Sequence, residues 1–262
     1  MTYRELAPDR SLADFVQCVW TYETPADRSA QPIAPDGRCE FIVHLGMPYR
    51  EVGARSLQPR VLFAGQLTKP LTLVAEGAAA VVGVRFRPDG ARAFFGRDVS
   101  VATDKRVDLV DVHGAAADAL GQAARRAKRP ASMVGVVQDY VRARVDGAAL
   151  DPIVRAAVGD LLAGRDASRS PLSERQFERR FKAAVGVSPR LLRAILRFRH
   201  VFDLIERPRR AGWLKAALDA GYFDQPQMAR DFRRFLGCTA SEWAAQRTGL
   251  ARALAAPAGA SA

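Results

Sequence analysis

Two stretches near the C-terminus of this 262-residue chain set arginine, lysine and glutamine at matching positions. Gln176–Ser188 reads QFERRFKAAVGVS, and Gln227–Thr239 reads QMARDFRRFLGCT. At a constant offset of 51 residues, Gln176 meets Gln227, Arg179 meets Arg230, Phe181 meets Phe232, Lys182 meets Arg233 and Gly186 meets Gly237. Self-similarity at a fixed offset marks one structural unit used twice. The shared polar side chains are hydrogen-bonding groups whose natural targets are phosphate oxygens and base edges. Other chemistry finds little support. Cys18, Cys39 and Cys238 are scattered, and His44, His113 and His200 lack ligand spacing, so no metal or cofactor is expected. No Gly-x-Ser-x-Gly elbow, phosphate loop or Gly-x-Gly-x-x-Gly turn appears, and the chain is not expected to be an enzyme. His44, at a strand end, reads as structural. Arg85 reads as salt-bridged or exposed ahead of a pocket residue that binds an anion.

The repeated stretches must be helices. Phe177, Phe181 and Val185 recur at helical spacing, as do Met228, Phe232 and Leu236. The remaining surface carries Arg175, Glu178, Arg179 and Lys182 in the first copy, and Gln225, Gln227, Arg230, Arg233 and Arg234 in the second. Gly186 and Gly237 are placed to end the helices in the left-handed conformation. Ahead of the second copy, Trp213–Ala220 is a short amphipathic helix, followed by Gly221, with Asp224 as N-cap and Pro226 in the first turn. Helix, glycine turn, polar-faced helix is the helix-turn-helix pattern, and its second helix fits a major groove. Between the copies, Pro189–Glu206 reads as one long helix with Leu192, Ile195, Leu196, Phe198, Phe202 and Ile205 on its apolar side. Arg190, Arg193, Arg197 and Arg199 are expected to be solvated or at phosphates, and Pro208 to stop the helix. Such a helix would set the two units about 34 Å apart, one DNA turn.

The N-terminal half has a different texture. Gln17–Glu23, Arg38–Leu45, Arg60–Leu67, Leu71–Glu76 and Ala79–Phe86 are short strand-like runs punctuated by proline and glycine. They predict a barrel or sandwich. Helical patterns follow over Val107–Arg129, Ala131–Val145 and from Asp151 to Leu162. The class is thus α+β: a β-rich, barrel-like sensor or dimerisation domain over 1–105, a helical connector over 106–150, an all-α DNA-binding domain over 151–250, and a flexible tail over 251–262. Charge follows the same division. Residues 151–262 hold 20 Lys and Arg against 11 Asp and Glu, most of the net +12, which points to a polyanionic partner. No apolar run is long enough to span a membrane, and Met1–Arg10 has no signal-peptide core, so a cytoplasmic protein without a membrane partner is expected.

At this level the sequence resembles a known family. GYFDQPQMARDFRRFLGCTASEW is similar to the closing signature of AraC/XylS-type regulators, and LSERQFERRFKAAVGVSPRLLRAILRFRHVFDLI to their first recognition helix and linker. The resemblance implies double-stranded DNA as partner, with Arg175, Glu178 and Arg179 facing the groove in the first unit. In the second it implies Gln225, Pro226, Ala229 and Arg230, with Arg233 and Arg234 at phosphates. PDGRCEFIVHLG, the FAGQL run and GVRFRPDGARAFFG resemble an uncharacterised β-rich domain found ahead of some such modules. That implies a small-molecule effector, a homodimer, and RNA polymerase as a candidate partner. Family members activate or repress transcription, so the resemblance admits an activator or a repressor. The chain departs from the family before Leu172, where GRDASRSP stands in place of a short helix. This predicts a truncated first unit with less for Phe177 and Phe181 to pack against. It also favours the alternative reading, a sensor or interaction protein whose first helix-turn-helix has decayed. The DNA alkyltransferases that share the module need a Pro-Cys-His motif and a four-cysteine zinc site, and this sequence has neither.

Overall fold

In the computed structural model, residues 2–27, 29–167, 170–205, 213–239 and Glu242 are described. The expected flexible tail and the stop at Pro208 lie outside them, as do the side chains of Phe202 and Ile205.

The strands are β1 (Thr2–Leu6), β2 (Val16–Thr24), β3 (Ala30–Ile33), β4 (Glu40–His44), β5 (Arg50–Glu51), β6 (Val61–Ala64), β7 (Leu71–Val74), β8 (Ala79–Phe86) and β9 (Arg106–Asp108). They form a six-stranded antiparallel sheet, β1-β2-β8-β4-β6-β9, and a three-stranded antiparallel sheet, β3-β7-β5. The barrel-like expectation is corrected here, because the sheets face each other and do not close. With two residues in β5 and three in β9, the strands at these margins are too short to join the sheets into a continuous ring. β3 tolerates Pro32 because it is an edge strand.

Alternation along the strands gives the larger sheet two apolar faces. One face carries Val19, Phe41, Val43, Val61, Phe63, Val82, Val84 and Phe86. Against it lie α1 (Ala91–Phe95), α3 (Ala115–Arg126) and α4 (Val134–Val145), with Phe63 and Phe95 stacked at 4.4 Å. The region expected as a connector therefore begins on a strand, β9, and continues through α2 (Val110–His113) into helices that cover the sheet. Gly114, with φ +59°, separates α2 from α3 where one helix was predicted.

The opposite face carries Trp20, Tyr22, Glu40, Ile42, His44, Val81 and Arg85 and looks across to Ile33, Leu71 and Leu73 of the small sheet. A crevice runs between them. Gly83 makes room for it, since a Cβ there would stand 2.2 Å from the Trp20 ring. The indole therefore lies flat on the sheet. Arg85 is 5% exposed and donates to Glu40 at 3.0 Å and to Glu5 at 2.9 Å, so it is ion-paired but not on the surface.

His44 is 1% exposed. Burial holds its imidazole at about 4, below the ordinary 6.5, with the Gln58 side chain beside the ring opposing that shift and the Arg60 charge adding to it. The unfolded chain gains a proton on this ring below pH 6.5, and the folded chain does so only near pH 4. Its contribution to stability is complete above 6.5 and drains away between 6.5 and about 4 as pH falls. Stability by denaturant titration is expected to fall by about 1.4 kcal/mol per pH unit from this group inside that window. His44→Gln should flatten the profile by one proton. An identical slope in the variant would show that the folded ring takes up its proton at the same pH as the unfolded one.

Candidate nucleic-acid interface

The C-terminal half consists of α5 (Pro152–Leu162), α6 (Glu174–Val185), α7 (Pro189–Ile205), α8 (Trp213–Asp219) and α9 (Gln225–Leu236). α6 and α9 are the repeated helices, and their ends are built alike. Ser173 caps α6 by accepting from the Gln176 N–H, and Gln176 Oε1 accepts from the Ser173 N–H at 3.1 Å. Asp224 caps α9 by accepting from the Gln227 N–H at 2.6 Å, and Gln227 Oε1 accepts from the Phe223 N–H at 3.2 Å. The caps share the 51-residue offset, and Ser173 with Gln176 is a capping box that the sequence analysis passed over. At the other ends, Gly186 and Gly237 have φ of +95° and +73°.

Each helix buries one side. On α6 this is Phe181, Ala184 and Val185, and on α9 it is Phe232, Phe235 and Leu236. Phe177 and Met228, expected on the same stripes, are half-buried. The opposite sides are open. Arg175, Glu178, Arg179 and Lys182 are exposed on α6, as are Gln225, Pro226, Arg230, Arg233 and Arg234 on α9. Ala229 and Gln227 are half-buried, and the Gln227 amide oxygen serves the cap. Phe223, which nothing in the sequence singled out, is 91% exposed in the turn before α9.

Two expectations about the supporting elements change. No helix is present among the described residues between α5 and α6, as the sequence led one to expect, yet α6 does not lack support. Val154, Val158 and Leu161 of α5 share a core with Phe181, Val185 and Leu192, and Phe181 is fully buried. Arg180 also pairs with Asp151, the residue that caps α5. The second change concerns α7. Arg197 was expected to be solvated or at phosphates, but it is 19% exposed, pairs with Asp231 of α9 at 2.7 Å and lies over the Tyr222 ring at 4.4 Å. It ties the long helix to the second unit. Arg193 pairs with Asp166 at the surface.

The helical half is seated on the β-rich half away from its cationic sides. Thr103 donates to the Gly186 carbonyl at 2.7 Å, and a Cβ on Gly186 would sit 3.1 Å from Gln66 and 3.2 Å from Val99. The turn at Gly37 approaches Leu192 and Leu196 of α7. Among the described residues, no group of three or more His, Cys, Asp or Glu could hold a metal ion, and no helix is long and apolar enough to cross a membrane.

Comparison with known proteins bears on both halves. Residues 4–108 match a family described as a domain of unknown function, DUF6597, and residues 167–246 match one described as a helix-turn-helix domain. Among solved structures the chain is similar to ToxT from Vibrio cholerae. An apo single-substitution form is 11% identical with a TM-score of 0.43, over 90% of this chain and 98% of that one. Another crystal form is 10% identical with a TM-score of 0.43, over 95% and 100%. No curated protein matches the chain. Residues 167–246 thus form a helix-turn-helix domain, carried behind a β-rich domain of unknown function.

Proposed function

We propose that this protein is a sequence-specific regulator that binds duplex DNA through α6 and α9 and responds to a small effector held by its N-terminal half. The observation that carries the DNA reading is the outward presentation of matched cationic helices whose aromatic sides are buried in the domain. Arg179 and Arg230, equivalent in the two units, are the side chains we assign to base edges. Arg233 and Arg234 are assigned to phosphates. The protein acts by binding and not by catalysis.

The effector reading rests on shared walls. Asp36 and Arg38 line the crevice between the sheets, and Gly37 between them bears on α7. Gly65 and Leu67 line the same crevice, and Gln66 between them touches Gly186 and donates to the Gly37 carbonyl at 3.0 Å. A molecule in the crevice would therefore press on the two segments that seat the DNA-binding half. The open edge of the larger sheet at β1 supports a dimer formed through the N-terminal half. Activation through RNA polymerase belongs to the same reading. The rival reading, a non-DNA-binding partner protein, draws on the missing helix before α6, whereas the packing of α5 on α6 supports the DNA reading.

The test is salt-dependent binding to sites selected from random duplexes. Log K should fall linearly with log salt, with a slope set by the phosphates neutralised. Arg230→Ala should weaken the selected site by about 1–3 kcal/mol and relax preference at one base pair. Arg234→Ala should weaken all sequences alike. Unaltered selectivity in Arg230→Ala would remove α9 from the groove.

A further inference from the structure

The crevice contains polar atoms that the protein leaves without partners. The Tyr49 hydroxyl and Arg106 Nη1 have no hydrogen-bond partner among the described residues, and the His44 ring nitrogens have none at hydrogen-bond geometry, although the Gln58 side chain lies beside the ring. His44 is 1% exposed and Tyr49 5%, and the Arg106 side chain is 10% exposed. All three residues line the crevice. Leaving a buried donor or acceptor unmade costs about 1–3 kcal/mol, so several of them lining one cavity point to a ligand that satisfies them. Apart from this cluster and the paired charges of Asp36, Arg38, Glu40 and Arg85, the walls are largely apolar, with Tyr22, Ile33, Ile42, Leu71 and Leu73 around the indole of Trp20. The indole N–H is itself occupied by Glu40 at 3.2 Å, so Trp20 offers its face and not its donor. A flat aromatic floor favours a flat guest.

Charge and size narrow the class further. Arg85 is already matched by Glu5 and Glu40, and Arg106 by Glu51 at 2.6 Å. Arg38 faces Asp36, and its Nε donates to Gln17 at 2.6 Å. Three guanidinium groups thus stand beside four carboxylates, which disfavours an anionic guest. The cavity volume is about 100 Å³. An apolar cavity of roughly 150 Å³ accepts a benzene ring, so this one suits a guest no larger than a single ring, with its oxygen on the buried polar atoms and the rest of the ring reaching to the open side.

We propose that the crevice binds a neutral, single-ring aromatic molecule bearing a hydroxyl or carbonyl group, its ring against Trp20 and Ile42 and its oxygen on His44 and Tyr49. This rests on the effector reading above and gives that effector a chemical class. His44 acts here as a neutral ring, able to donate from one nitrogen and accept at the other. Tyr49 can do either, and Arg106 Nη1 adds a donor to a carbonyl oxygen.

The experiment uses the full-length protein without DNA, so that its result is independent of any operator. 4-Methylphenol, toluene and 4-methylbenzoate are titrated and followed by ligand-detected NMR, giving one neutral polar ring, one ring without the oxygen and one anion. 4-Methylphenol should bind tightest. Tyr49→Phe should weaken it by about 3- to 10-fold, one neutral hydrogen bond, and leave toluene unchanged. Because the Tyr49 hydroxyl bonds nothing in the protein, that variant keeps its fold, which its melting curve verifies. Toluene binding as well as 4-methylphenol, benzoate binding best, indifference to Tyr49→Phe, or no binding of any probe at millimolar concentration would each overturn the assignment. Salt-dependent binding to duplex DNA would survive any of these, so the two readings fail separately.

Discussion

Removing Arg179 and Arg230 together should weaken binding to a selected duplex by roughly 2–6 kcal/mol, a factor of at least about 30. The two residues occupy equivalent positions on α6 and α9, and both are exposed. Each, if bidentate to a base, contributes about 1–3 kcal/mol of discrimination. The heads are joined by α7, a 17-residue helix about 25 Å long, so neither can adjust freely when the other lets go. The single variants should therefore each lose affinity, and their sum should approximate the double, because the sites share no partner. The prediction is sharpest for the first unit. If Arg179→Ala alone left affinity and selectivity intact while Arg230→Ala did not, α6 would be a support and not a reader. Competition by unrelated duplex at fixed salt separates the base term from the phosphate term.

Why the first unit was in question at all shows how far the residues speak for themselves. GRDASRSP carries no periodicity, and the missing helix was legible from that stretch. The substitute support was not. Val154, Val158 and Leu161 reveal an amphipathic helix by their spacing, but spacing does not say which neighbour receives the apolar side. Arg197 is a similar case. Its place on α7 was readable, whereas its pairing with Asp231 depends on a crossing of helices 34 positions apart in sequence. In the N-terminal half the central strands were visible because both their faces are buried, as in β8. β1, β3 and β9 were missed because each is a short margin with few buried side chains. The crevice was invisible for the same reason. Tyr49, Arg106 and His44 come from separate segments and meet only when the small sheet folds over the large one. His44 is the instructive member, since a lone histidine at a strand end is most often structural, and only its nitrogens, without a partner at hydrogen-bond geometry, set it apart.

The other large effect follows from the core of the second unit. Phe198 of α7 is fully buried, with ring centroids 5.1 Å from Phe232 and 5.2 Å from Phe235. These contacts attach the reading helix to its scaffold, with Val201, Ala216, Ala217 and Tyr222 completing the cluster. Phe198→Ala should cost about 3–5 kcal/mol, since the helices on either side cannot collapse fully into the space vacated. The loss should be local. The core around Phe41, Phe63 and Phe86 is a separate cluster that Phe198 does not touch. Hydrogen exchange should therefore speed up by two to three orders of magnitude, about 3–4 kcal/mol of lost protection, in α9 while β8 keeps its protection. DNA binding should fall with α9, although the exposed arginines are unchanged. Phe198→Leu, which keeps most of the volume, should recover much of both. If α9 stayed as protected in the alanine variant as in the parent, the aromatic cluster would not be what holds the second reading helix in place.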